Sequence, residues 1–140
     1  MPNNPYLLHF PKITDPRGNL SFLQSPEQLP FTIGRVFWTY DVPGGETRGA
    51  HAYKKQQEVI IALSGSFDVI VKRADGIEDK FSLNRSYYGL YLPALSWRLM
   101  GNFSTNALGL HISSHVYNPD DYIRNFAEYQ QITHEQGNGI

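Results

Sequence analysis

Short apolar and aromatic runs, interrupted at close intervals by turn-forming residues, constrain the fold of this chain more than any other feature. Runs such as YLLHF, RVFWTY, EVIIALSG, FDVIVKR and ALGLHISS alternate with breakers such as DPRGN, DVPGGE and ADGIED. Strands of this length with Gly, Pro, Asp and Asn between them are typical of antiparallel barrels and sandwiches. The ADG between FDVIVKR and IEDKFSL predicts a β-hairpin. We therefore expect an all-β chain.

One segment near the end of the chain has helical rather than strand periodicity. Asn118 is a predicted N-cap, and Pro119 follows at the first helical position. The residues that recur at helical spacing are Tyr122, Ile123, Phe126 and Tyr129. This pattern predicts a short C-terminal helix on the outside of the barrel, followed by a frayed tail from residue 133 to residue 140.

Length and composition limit the class of protein. The chain has 140 residues, which suits a single domain over residues 1–140. The net charge is −1 with Lys and Arg scattered, so we expect no nucleic-acid partner. No apolar run has the length of a membrane span, and the N-terminus does not resemble a signal peptide. Together with the absence of cysteine, these features predict a cytoplasmic protein that does not bind a membrane.

The stretch from Gly45 to Gly65 resembles the first sequence motif of the cupin barrels. His51 and Tyr53 alternate on one strand, so both side chains point to the same face, and Glu58 on the next strand can share that face. Tyr53 stands where the motif has a second histidine. A histidine pair with a carboxylate would suit a divalent metal, which keeps a metal-dependent cupin oxygenase or isomerase as one alternative.

The later stretch PALSWRLMGN resembles the second cupin motif, with Arg98 where a third histidine often stands. An arginine is always charged and has no lone pair to offer a metal. It would repel a divalent cation and attract an anion. The two motifs together therefore favour a cupin-type antiparallel β-barrel, or jelly roll, whose cavity holds no metal.

A wider resemblance covers nearly the whole chain from Ile13 to Tyr129. The segments TDPRGNL, PFTIGRVFWTYDVPGGETRGAHAYKK, GLYLPALSWRLM and DDYIRNFAEY are similar in order to the WxcM-like sugar-nucleotide 3,4-ketoisomerases. This resemblance implies a metal-free isomerase, without a cofactor, acting on a dTDP-linked 4-keto-6-deoxyhexose such as dTDP-4-keto-6-deoxyglucose. It further implies a homodimer that exchanges N-terminal strands, and a role in 3-amino-sugar synthesis for surface polysaccharides.

The same resemblance suggests the catalytic residues. Moving a ketone from C4 to C3 needs a base that removes the C3 proton, and histidine suits this work. The family pattern RGxHAH carries this role over to His51, with Tyr53 as the second catalytic candidate in place of a histidine. Because a phenol is a poor base near neutral pH, loss of turnover is the second alternative: a non-catalytic cupin that binds a nucleotide sugar.

Charged residues complete the predicted site. Arg98 is the candidate that stabilises the enediolate charge. Arg17, Arg35 and Arg48 are candidates for binding the pyrophosphate, and Glu58 is a further substrate-binding candidate. Arg48 and His51 are an odd number of residues apart, so they share a face only if the strand bulges, for example at Gly49. The other histidines, to which we assign no role, are His9, His111, His115 and His134.

Overall fold

The computed structural model describes residues 4–138 and consists mainly of antiparallel strands. In chain order the elements are β1 (Tyr6–His9), β2 (Lys12–Asp15), β3 (Gly18–Ser21), β4 (Arg35–Tyr40), β5 (Arg48–Tyr53), β6 (Glu58–Ser64), β7 (Phe67–Lys72), β8 (Glu78–Leu83), β9 (Tyr88–Leu92), β10 (Trp97–Gly101), β11 (Leu108–Ser113), β12 (Tyr122–Ile123) and α1 (Phe126–Asn138).

The strands form two facing five-stranded sheets and one separate hairpin. The first sheet has the order β1-β9-β6-β11-β4, and the second has the order β12-β5-β10-β7-β8. Within the described part of the chain, the strands β2 and β3 pair with each other and with no other strand. The predicted hairpin joins β7 to β8 through Gly76, whose φ of 91° suits the turn. The predicted fold class, a cupin-type antiparallel barrel with one short C-terminal helix, is confirmed.

Alternating side chains of β6 pack on both faces of the first sheet. Ile60 and Ala62 point into the barrel, where they join apolar residues of β7, β8, β9 and β10. Val59 and Ile61 point outward and are covered by Leu29 and other residues of the segment before β4. Because both faces of β6 are buried, this strand reads as a continuous apolar run. It forms a rigid wall behind the site described below.

The helix α1 covers the outer face of the second sheet. Its Tyr129 packs with Ala52, Trp97 and Ile123, and the Tyr129 hydroxyl donates to the Leu95 carbonyl at 2.9 Å. Since Ala52 faces the helix, its neighbours on β5 must face the barrel interior. The helix therefore holds β5 and β10 in the orientation that the cavity needs.

The helix begins later than the sequence predicts. Asn118 does cap a helical turn, but only a short 3₁₀ turn at Pro119–Asp121. Tyr122 and Ile123 then form β12, which pairs with Tyr53 and Ala52 of β5. These sheet hydrogen bonds are a long-range interaction that overrides local helical periodicity. The N-cap of α1 is Asn125, whose side chain accepts the backbone N–H of Glu128 at 3.0 Å.

The predicted frayed tail also differs from the structure, because α1 continues to Asn138. Ile132 packs against the cluster under the helix, and the Thr133 hydroxyl donates to the Tyr129 carbonyl at 2.9 Å. These contacts hold the helix up to residue 133, and Gly139 and Ile140 lie outside the described residues. Within residues 4–138, no helix is long and apolar enough to cross a membrane. The single-domain organisation stays a prediction.

Candidate active site

A cavity of about 400 Å³ lies between the two sheets at one end of the barrel. Its size falls within the range of small-molecule sites. The residues that line it come from β4, β5, β6, β10, β11 and β12 and from the positions next to β5 and β12, so both sheets contribute. The polar and charged lining residues are Thr39, Thr47, Arg48, His51, Tyr53, Glu58, Arg98, His111, Tyr122 and Arg124.

A β-bulge in β5 sets the direction of two predicted site residues. The pairing with β10 shifts between His51 and Gly49, which leaves Ala50 as an extra residue. Ala50 and Gly49 both adopt positive φ, at 57° and 97°. A Cβ at position 49 would lie 3.3 Å from the Arg98 carbonyl oxygen, so the close approach also favours glycine. The bulge allows Arg48 and His51 to line the same cavity, as the sequence analysis required.

The floor of the cavity is a buried cluster of Glu58, Arg98 and His111. The Glu58 carboxylate accepts His111 Nδ1 at 2.7 Å, and one terminal nitrogen of Arg98 lies 3.4 Å from the same oxygen. Burial alone would raise the pKa of Glu58, but the adjacent Arg98 and His111 outweigh it and hold that pKa well below its ordinary value. Glu58 is therefore an anion with its hydrogen-bonding capacity committed to protein groups.

His51 is the neutral imidazole of the site. Burial, followed by the positive charge of Arg98, lowers the pKa of His51 to about 4. Its Nε2 atom is buried and has no hydrogen-bond partner among the described residues. A lone pair is thus available within the cavity, and buried polar atoms of this kind are normally satisfied. The Nε2 atom of His51 could therefore accept a proton or a hydrogen bond from a molecule in the cavity.

Arg98 provides a positive charge beside this base. Its Nε donates to the Ser96 carbonyl at 3.0 Å, which fixes the guanidinium over the Tyr53 ring at 5.0 Å. The second terminal nitrogen, Nη2, is buried without a hydrogen-bond partner in the described chain. An unpaired donor and an unpaired ring nitrogen thus lie in the same cavity. Their combination suits a substrate that gives up a proton and gains negative charge.

The two tyrosines of the cavity form a hydrogen-bonded group with an arginine. Tyr53 and Tyr122 have hydroxyl oxygens 3.3 Å apart, and Arg35 donates to both, at 3.4 Å and 3.2 Å. The His51 ring lies 4.8 Å from the Tyr53 ring and 5.1 Å from the Tyr122 ring. Burial raises the pKa of Tyr53 above its ordinary value, so its phenol stays protonated.

The structure does not bring every predicted residue to the cavity wall. His51, Tyr53, Arg48, Glu58 and Arg98 line it. Arg35 instead lies behind the two tyrosines, where one terminal nitrogen is also 3.4 Å from Gln56 Oε1.

Arg17 also lies outside the cavity of its own chain. It is at the tip of the β2–β3 hairpin, where it pairs with Asp15 at 3.0 Å, and its side chain is 90 % exposed. Among the described residues, the hairpin does not pair with either five-stranded sheet, so strand pairing does not turn Arg17 towards the barrel interior.

Sequence analysis missed three lining residues that carry chemistry. His111 received no role, yet it hydrogen-bonds Glu58 and contacts Thr39 Oγ1 at 3.2 Å through Nε2. Tyr122 was assigned to a helix face, and Arg124 was not considered. The alternation in GLHIS placed His111 on the same face as two small residues, which is the one local signal that could have indicated an inward position.

The cavity at the end of the barrel holds a neutral histidine, an arginine and a glutamate whose charge is offset. Such a cupin-type site is suited to proton transfer at carbon. The comparisons with known proteins agree with this class. The family model described as FdtA, WxcM-like, C-terminal, matches residues 3–134. The chain belongs to this WxcM-like family.

Individual relatives show the same fold over almost the full length. A curated TDP-4-oxo-6-deoxy-alpha-D-glucose-3,4-oxoisomerase of Aneurinibacillus thermoaerophilus is 34% identical, covering 89% of each chain. The QdtA sugar 3,4-ketoisomerase of Thermoanaerobacterium thermosaccharolyticum, solved with TDP, is 34% identical over 97% of this chain and 98% of its own, with a TM-score of 0.92. The WlaRB TDP-quinovose 3,4-ketoisomerase of Campylobacter jejuni is 38% identical over 91% and 98%, with a TM-score of 0.86. The family resemblance seen in the sequence is confirmed.

Proposed function

We propose that this chain is a 3,4-ketoisomerase of a TDP-linked 4-keto-6-deoxyhexose, with His51 as the base. The observation that carries the proposal is the buried, unpartnered Nε2 of a neutral His51 beside an unpartnered nitrogen of Arg98. The names of the relatives, which are 3,4-ketoisomerases or oxoisomerases of TDP sugars, supply the substrate class. They favour an active enzyme over a cupin that only binds a nucleotide sugar.

The proposed reaction moves one carbon-bound proton. His51 Nε2 removes the proton from C3 of the sugar, and the C–H electron pair forms a C3–C4 double bond. The negative charge that develops on the C4 oxygen is stabilised by the free Arg98 nitrogen, which needs no reorganisation to reach it. Return of the proton from His51 to C4, together with loss of the hydroxyl proton from O3 and gain of a proton by O4, completes the isomerisation. Glu58 keeps Arg98 in place and offsets its charge within the buried cluster.

The nucleotide part of the substrate needs cations at the mouth of the cavity. Arg48 and Arg124 both line the cavity and have exposed side chains, so they are the candidates for the pyrophosphate. Glu58 is too deeply buried to serve as a surface ligand, with 1 % of its side chain exposed. Its proposed contribution to substrate binding is therefore indirect, through Arg98.

We include a homodimer in the proposal. The β2–β3 hairpin exposes Ile13 and Leu20, and β4 is an open sheet edge that exposes Trp38. Natural sheets avoid leaving such edges and apolar surfaces unpaired. Within one chain β1 pairs with β9, so the exchanged part would be the hairpin, and Arg17 at its tip would serve the cavity of the other chain. Light scattering of the purified chain tests this, and a 16.0 kDa particle at every concentration would contradict it.

The test of the function is proton NMR of purified protein with TDP-4-keto-6-deoxyglucose in heavy water. We expect the ketone to migrate to C3 and deuterium to enter C4. His51→Asn should lower turnover by about 10²–10⁴-fold while TDP affinity stays within a few-fold. Wild-type protein that binds TDP but neither isomerises nor exchanges would refute the enzyme and leave a binding module.

Three further expectations belong to the proposal as predictions. They are a cytoplasmic location, the absence of nucleic-acid and membrane partners, and a role in 3-amino-sugar synthesis for surface polysaccharides.

A further inference from the structure

The ketone cannot migrate by moving the carbon-bound proton alone. The C3 oxygen must lose its hydrogen and the C4 oxygen must gain one, so a second proton has to cross between two neighbouring oxygens. His51 and Arg98 account for the carbon proton and the negative charge. Neither accounts for the oxygen proton, because Arg98 does not deprotonate in proteins and His51 is already protonated when the oxygen proton has to move.

The tyrosine pair has one hydroxyl proton that its own hydrogen bonds do not use. Arg35 can only donate, so the oxygens of Tyr53 and Tyr122 both act as acceptors towards it. A single proton can lie between the two oxygens, with Tyr53 donating to Tyr122. The Tyr122 oxygen then accepts two hydrogen bonds, from Arg35 and Tyr53, and its own proton is left to point elsewhere.

Position decides which of the two hydroxyls serves the substrate. Tyr53 is 1 % exposed and is held below the Arg98 guanidinium. Tyr122 is only partly buried, lines the cavity and has its ring 5.1 Å from His51. Tyr122 is therefore the less buried of the two phenols, and its ring contacts the His51 ring at the cavity wall.

We propose that Tyr122 is a catalytic residue that carries the oxygen-bound proton between O3 and O4 of the sugar, with Tyr53 and Arg35 as its positioning residues. This inference rests on the proposed ketoisomerase function.

The steps balance as follows. His51 takes the C3 proton, the C–H pair forms the C3–C4 double bond, and the carbonyl pair moves to O4, which takes the Tyr122 proton. The Tyr122 phenolate, held by two donors, then takes the proton of the O3 hydroxyl. The electrons of the O3–H bond then form the new carbonyl at C3, and the electrons of the C3–C4 double bond form a C–H bond at C4 with the proton from His51.

The proposal also explains what Tyr53 contributes in place of the family's second histidine. A phenol at this position donates to Tyr122 and stabilises its phenolate. Its own raised pKa keeps it protonated, so it acts as a donor throughout the cycle. The hydrogen bonds in this group are long, at 3.2–3.4 Å, as expected for a catalytic group that tightens when substrate binds.

The experiment separates the two proton transfers in one NMR tube. Protein and TDP-4-keto-6-deoxyglucose are incubated in heavy water, and deuterium at C3 of the remaining substrate is followed together with the 3-keto product. Tyr122→Phe should lower product formation by about 10²–10⁴-fold, while deuterium exchange at C3 stays within about tenfold of wild type, since His51 and Arg98 remain. His51→Asn should lose both signals.

Tyr117→Phe is the matched control. The Tyr117 ring lies 5.9 Å from the Tyr122 ring and under Arg35, but its side chain is 60% exposed and does not line the cavity. Removing its hydroxyl while keeping the ring should leave both signals within about twofold of wild type, as for an ordinary surface change.

The outcomes distinguish failure of the Tyr122 role from failure of the ketoisomerase function. If Tyr122→Phe lowers exchange and product formation in parallel, or changes neither, the role of Tyr122 is refuted although the isomerase stands. If wild-type protein shows neither signal, the function itself fails. Should Tyr122→Phe not fold, Tyr53→Phe must show the same separation with a smaller loss of product, and a parallel loss there overturns the inference.

Discussion

The low pKa of His51 makes a quantitative prediction about how the protein responds to acid. A free histidine has a pKa of about 6.5, whereas burial and the charge of Arg98 lower that of His51 to about 4. At pH 5.5 an ordinary imidazole is about one-tenth neutral, while one with a pKa of about 4 is about 97% neutral. We expect kcat/KM to stay nearly constant from pH 8 down to about pH 5.

The assay is the initial rate of isomerisation at low substrate concentration, measured by NMR across this pH range. The acid limb of kcat/KM reports the free enzyme, so it reports His51 before substrate enters. A tenfold fall between pH 7 and pH 5.5 would show a pKa near the ordinary value. That result would refute either the burial of the imidazole or its role as the base.

The same pKa predicts an effect on stability. The pKa of His51 is lower in the folded protein than in the unfolded chain. The contribution of His51 to the free energy of unfolding is therefore fully present above about pH 6.5 and is lost as the pH falls towards 4. By pH 5 the loss attributable to His51 amounts to about 2 kcal/mol. His51→Gln should lack this component, so urea unfolding at pH 7.5 and pH 5 should show a smaller acid loss than wild type. Glu58 contributes little in this window, because its lowered pKa moves its own acid loss below about pH 4.5.

Three other predictions concern the buried cluster around Glu58, the turn at Gly65 and the absence of metal. Glu58→Gln leaves the buried Arg98 cation unpaired, so unfolding in urea should show a loss of about 3–5 kcal/mol, against less than about 0.5 kcal/mol for Glu78→Gln on the exposed face of β8. Both Gly65 and Gly76 have positive φ, but only at Gly65 would a Cβ meet a backbone atom at 2.8 Å; Gly65→Ala should therefore lower the Tm more than Gly76→Ala. Dialysis against a chelator should leave kcat within about twofold of the untreated value, since the reaction proposed uses only protein groups; recovery of lost activity by an added divalent metal would show the metal-free assignment to be wrong.

The sequence predicts the barrel well because alternation with period two is a local property. His51 and Tyr53 share a face with one residue between them, and the structure places both in the cavity. Parity alone shows that Arg48 can join them only through a bulge, and the structure has a bulge at Gly49 and Ala50. These features need no knowledge of what lies across the sheet.

The parts that sequence could not predict depend on contacts between distant segments. Glu58 and His111 are 53 positions apart and meet only because β6 and β11 pair in register. Tyr122 fits a helical pattern locally and becomes a strand residue through pairing with Tyr53. By contrast, Asn125 with Glu128 three residues later was a readable capping signal for the true start of α1. Local rules thus place His51 and Tyr53 on the cavity wall, while the cluster of Glu58, Arg98 and His111 depends on strand pairing.

Among the described residues, His51 Nε2 and Arg98 Nη2 are buried cavity nitrogens without a hydrogen-bond partner, which makes the functional end of the barrel the thermodynamically weak part of the molecule. Each buried polar atom left without a partner costs about 1–3 kcal/mol, so the ligand-free protein folds against a penalty that substrate removes. Laboratory evolution for heat resistance alone would accordingly drift towards apolar replacements at these positions and lose turnover. Conversely, the rise in melting temperature on adding small carbonyl compounds or nucleotides offers a label-free way to screen what this barrel accepts.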